Sequence, residues 1–120
     1  MEDNVVLLNR PVRKQIAFDL SDAKLKIYYP HHKMRINPYS YKKAWSDIGA
    51  FMRRNGFIHR QYSVYISLEA ITSVEINSLV KSMLQRLPWT YKCFIAIDVT
   101  DIGDQYELLP VMEDYAIGME

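Results

Sequence analysis

Along this chain the apolar residues switch between period two and period 3.6, and the order of those switches leaves few folds open. Ile16, Phe18 and Leu20 alternate with Gln15, Ala17 and Asp19, which marks Gln15–Leu20 as a strand with one buried face. Tyr41, Ala44, Trp45, Ile48, Phe51 and Met52 follow helical spacing. Asn37 is a cap for that helix, Pro38 suits its first turn, Arg53 and Arg54 favour its last, and Gly56 supplies the left-handed stop. Period two returns in Phe57–Gln61 and Ser63–Leu68, a hairpin turning near Gln61-Tyr62. Thr72 and Glu75 then make a capping box ahead of the stripe Ile76, Leu79, Val80, Met83, Leu84 and Leu87, which Pro88 ends. A last strand runs over Cys93–Val99, with Cys93, Ile95, Ile97 and Val99 on one face. Strand, helix, strand, strand, helix, strand predicts an α+β domain: a ferredoxin-like βαββαβ sandwich, two helices covering one face of a four-stranded antiparallel sheet.

At 120 residues the chain is one domain, with 1–13 as an N-terminal extension and 101–120 as an acidic tail. The tail has room for a short strand or a helical turn around Tyr106 to Met112. With 15 Lys and Arg against 14 Asp and Glu the net charge is +1, so a nucleic-acid site would need local clustering or a second copy. The single cysteine excludes an intrachain disulfide, and its apolar surroundings make Cys93 a buried, inert thiol. Val5–Leu8, the longest early apolar run, is too short for a signal peptide or a membrane span, which predicts a soluble cytoplasmic protein. His31 and His32 lie in a long loop, Ser21–Pro38, with no cysteine or third histidine at ligand spacing; a solvated loop explains them better than zinc.

In the expected topology the first and third strands are the central, antiparallel pair, which sets Asp19 beside Ser63. Alternation assigns both to the sheet face away from the helices, since Ile16, Phe18 and Leu20 and, in the hairpin, Val64, Ile66 and Leu68 claim the helix side. Phe94 approaches the same corner, and Asp98 falls toward the opposite end. A carboxylate there can hold a divalent cation or a water, or accept a proton, while a serine can orient a phosphate or a water. No histidine is placed to activate Ser63, and His59 reads as structural. A loop cap or a surface ion pair explains Asp19 equally well at this level. A polar open face also suits a homodimer that brings two copies of Asp19 together.

These residues resemble the virulence-associated protein D (VapD) endoribonucleases. The resemblance rests on Ile16-Ala17-Phe18-Asp19-Leu20, on Tyr41-Lys42-Lys43-Ala44-Trp45-Ser46-Asp47-Ile48, and on Gly56-Phe57. It continues through Gln61-Tyr62-Ser63-Val64-Tyr65, Leu87-Pro88-Trp89 and the apolar strand to Asp98, and spans about residues 14 to 104 in order. The family's Gln-Gly-Ser-x-Tyr segment carries Tyr62 in its glycine position here. The resemblance implies a small toxin-type RNase, related in fold to the small CRISPR-associated adaptation nuclease, homodimeric and often paired with an antitoxin protein. It implies RNA cleavage with Asp19 as the principal catalytic or metal-holding residue, Mg²⁺ as the candidate ion, and Ser63 in support. Arg60, Arg53 and Lys42 become candidates for the phosphate charge, and Tyr41 or Tyr62 for stacking a base. The rival expectation keeps the fold and drops the chemistry, leaving a dimeric scaffold that docks protein or nucleic acid.

Overall fold

The computed structural model describes residues 10–30, 37–103 and 106–119. Its sheet contains β1 Arg13–Leu20, β2 Phe57–Gln61, β3 Val64–Ser67 and β4 Phe94–Ile102 in the order β2-β3-β1-β4. All three neighbouring pairs are antiparallel, and β1 and β3 are the central strands, as the alternation predicts. Five α-helices accompany the sheet among the described residues, where two were expected: α1 Asp22–Tyr28, α2 Ala44–Arg54, α3 Ser73–Arg86, α4 Thr90–Cys93 and α5 Leu109–Met119. A 3₁₀ turn, Ser40–Lys43, leads into α2.

The segment read as a long loop is the first departure. Ser21 caps α1, its hydroxyl accepting from the Lys24 amide at 3.2 Å, and Leu25 and Tyr29 are buried. Seven residues with one buried anchor, Leu25, give too few repeats for a period to register. His31 and His32 lie outside the described residues, as do residues 1–9 of the expected extension. The rest of that extension belongs to the fold: Val12 bridges Ile71 and Arg13 opens β1.

Ile16, Phe18 and Leu20 enter the core against Leu25 of α1, Ile48, Phe51 and Met52 of α2, and Ile76, Leu79 and Met83 of α3. The expected facing of β3 is inverted. Ile16 pairs with Tyr65 and Ala17 with Val64, and directly paired residues share a face, so Tyr65 and Ser67 point into the core. Val64 and Ile66 take the opposite face and Leu68 is exposed. A one-residue change in where the hairpin turns exchanges the two faces, and the turn occupies Tyr62-Ser63, with Ser63 at φ 60°.

At the C-terminal end, Cys93 closes α4 as a buried residue rather than opening the strand, and burial pushes its thiol pKa up. β4 extends to Ile102, and of the short strand or helical turn expected around Tyr106 to Met112 the structure has the helical alternative, α5 from Leu109. No described helix is long and apolar enough to cross a membrane.

The Tyr29 hydroxyl donates to Asp47 Oδ2 at 2.5 Å, tying α1 to α2, and its ring meets Trp89 edge-on at 5.0 Å. Tyr29→Phe keeps the ring contact and is expected to cost about 1.5 kcal/mol, the scale of a hydrogen bond to a charged group. Burial first, then the Asp47 carboxylate, raises the Tyr29 pKa. The unfolded chain therefore releases this proton near pH 10 while the folded chain keeps it, so stability falls as pH rises past about 10. Denaturation at pH 7 and 10.5 checks both points: the variant loses stability at pH 7 and shows the shallower alkaline decline.

Candidate functional site

Asp19 sits one residue before the end of β1, paired with Ala96, while Ala17, two residues back, is paired with Asp98. Asp19 and Asp98 therefore share the face opposite the core, on a diagonal whose side chains lie roughly 7 to 8 Å apart. The alanines complete a checkerboard that leaves both carboxylates exposed and unobstructed. Among the described residues neither carboxylate has an ion pair or a hydrogen bond. Asp98 was placed by sequence at the far end of the strand. Counting inward from Phe94, which pairs with Leu20, puts it beside Asp19 instead.

Ser63 is a backbone neighbour of this corner but not a partner of Asp19. The Phe18 amide donates to the Ser63 carbonyl at 3.1 Å. Ser63 itself lines a cavity of about 260 Å³ on the core side of the sheet, so the expectation that both residues share the open face fails. The cause is the inverted facing of the hairpin together with the left-handed backbone at Ser63.

That cavity lies between α2 and the hairpin. Trp45, Gly49 and Arg53 form one wall, and His59, Tyr62 and Tyr65 the other. Tyr65 is stacked between His59 at 4.8 Å and Phe18 at 6.2 Å between ring centres. Its hydroxyl reaches α2 because residue 49 has no side chain: a Cβ there would stand 2.6 Å from that oxygen. Burial raises the Tyr65 pKa and the nearby Arg53 guanidinium opposes the rise. Arg53 has no carboxylate partner among the described residues.

The remaining candidates divide. Tyr62 and Lys42 line a second cavity of about 390 Å³ with Trp45 and Asp22, and Lys42 Nζ stands 5.5 Å from the centre of the Tyr39 ring. Tyr41 is buried in the core with Lys26 over its ring at 5.6 Å, so it has no free face for a base, and that expectation is corrected. Arg60 lies 4.0 Å from Glu107 in the segment after β4, and lines neither cavity. Trp45 and His59 were read as core and structure. The signal for Trp45 was present in its position next to Lys42 and Lys43, one helical turn before Gly49.

Among the described residues no group of three or more His, Cys, Asp or Glu could hold a metal. Two exposed carboxylates still fit Mg²⁺, which commonly takes one or two protein carboxylates and fills its other positions with water and substrate phosphate. No protein-family model matches the chain, and no curated protein matches it significantly.

Proposed function

We propose that the chain is a toxin-type endoribonuclease of ferredoxin-like fold, acting as a homodimer, with Asp19 and Asp98 at its cleavage site. The observation that carries this reading is the pair of exposed carboxylates, without a partner among the described residues, set diagonally on the open sheet face between two alanines. The strand order β2-β3-β1-β4 with helices packed on one face supports the fold assignment. Asp19 accepts the proton of the attacking oxygen as its bond to phosphorus forms, the phosphorus bond to the leaving oxygen breaks and water protonates that oxygen, while Asp98 orients the group that Asp19 acts on. Asp19 and Asp98 would hold Mg²⁺, which would supply neutralisation of charge on the scissile phosphate. Ser63 lines the cavity on the core side of the sheet and takes no part in this step.

The test is cleavage of an end-labelled structured RNA by wild type and Asp19→Asn. Loss of cleavage with an unchanged melting temperature is the expected result, since Asp19 is exposed and bonds to nothing that folding needs.

The homodimer is supported by apolar surface that one chain leaves open. Every described residue of α5 is exposed, among them Leu109, Val111, Tyr115 and Ile117. Val80 and Leu84 of α3 and Ile97 and Val99 of β4 border a second uncovered groove, lined with Ile16 and Met83. Contiguous apolar surface of this kind marks association sites. Sedimentation at micromolar concentration is expected to give twice the chain mass, and a chain-mass species would contradict the dimer.

A further inference from the structure

The Trp45–Tyr62 pair divides two cavities. Their ring centres are 6.1 Å apart with 25° between the planes. On one side lie Arg53 and His59, and on the other Lys42 and Asp22. A flat ring held between two others needs a gap of about 7 Å, two contacts of roughly 3.5 Å each. The two rings are stacked on each other, so a base enters when Tyr62 swings away from Trp45, as its place on the hairpin tip and its 73% exposure allow.

Two groups in the cavity behind the pair have no partner among the described residues. The Arg53 guanidinium has no carboxylate, and the Tyr65 hydroxyl has no hydrogen bond among the described residues. An unpaired cation and an unpaired hydroxyl at the end of an aromatic slot match a phosphate attached to a stacked ring. Lys42, beyond the other side of the pair, matches the next phosphate along a strand. We infer that Trp45 and Tyr62 form a clamp for one unpaired base of single-stranded RNA, with Arg53 and Lys42 holding the phosphates on its two sides.

This inference rests on the cleavage reading for the identity of the nucleic acid. It also gives that reading a substrate class. Phe18 lines the clamp cavity and Asp19 follows it in the chain, so only β1 separates the clamp from the carboxylates. A strand gripped at the hairpin reaches the open face by turning around the end of the sheet. The site is then one for unpaired segments, not for duplex, whose bases are not available to a clamp.

The test is fluorescence anisotropy with a labelled eight-nucleotide single-stranded RNA, using the full chain carrying Asp19→Asn so that the probe survives. Tyr62→Ala is expected to weaken binding roughly tenfold, the scale of one lost stacking contact. Arg53→Gln is expected to weaken it and to lower the salt dependence by about 0.7, one phosphate contact on a single strand. Val74→Ala, at an exposed apolar residue (65%) of α3 that lines neither cavity, is expected to change nothing. Binding by both clamp variants within twofold of the parent overturns the inference, as does absence of binding by the parent. Tyr62-dependent binding by a wild type that cleaves nothing sustains the clamp and removes the nuclease reading. Cleavage with Tyr62-independent binding does the reverse.

Discussion

Asp101→Ala is expected to destabilise the fold by about 3 kcal/mol, at the lower end of the range for breaking a buried ion pair. Lys14 occupies a core-facing position of β1, directly opposite Asp101 in β4. Its side chain is 1% exposed and its Nζ lies 2.6 Å from Asp101 Oδ1. Its amide donates to Ser67 Oγ at 2.9 Å, so the backbone around it is fixed on both sides. Removing the carboxylate leaves a buried ammonium without its counter-charge. Asp101 keeps a third of its own side chain in water, which places the cost toward the bottom of the range. Lys14→Met with Asp101→Ala removes both charges and is expected to recover most of the loss, because a methionine fills the same channel without a charge to desolvate. Urea denaturation of the two variants decides it. An Asp101→Ala midpoint equal to wild type would mean that water reaches Lys14.

The second large effect is on rate. Asp98→Asn and Asp19→Asn are each expected to slow RNA cleavage by about a hundredfold or more, the usual range for a group that moves or orients a proton in the transition state. The double variant is expected to be no slower than the worse single one, because groups acting as a unit are lost together. Losses that multiply would instead assign the two carboxylates independent roles. Both residues are exposed and make no side-chain bond among the described residues, so the melting temperatures should not move. Asp98 is the sharper test of the two, since it enters the site through the pairing register alone.

Much of the layering was legible because long periodic segments report their own burial. Ile48, Phe51 and Met52 of α2 and Ile76, Leu79 and Met83 of α3 are core residues, as their spacing demanded. Val80 and Leu84 belong to the same stripe but remain exposed, since no described element covers that side of α3. Shorter signals failed for physical reasons. In the four residues of β3, Val64 and Ile66 are more apolar than Tyr65 and Ser67. Hydrophobicity alone therefore chose the wrong face. The core takes Tyr65 because its ring stacks on Phe18 and its hydroxyl fits against Gly49. Lys14 ran against the same rule, being buried through a partner 87 residues away. The position of Asp19 and its closeness to Ser63 along the backbone followed from topology. Which side each occupies did not, because faces depend on register and register on one turn.

The most direct test of the central claim is the single-turnover rate of cleavage of a labelled RNA by wild type and Asp19→Asn, each in Mg²⁺ and in excess chelator. The expected result is cleavage by wild type in Mg²⁺ that is lost both in chelator and in the variant. Equal cleavage by wild type and variant, or none by either, would contradict a nuclease site at Asp19.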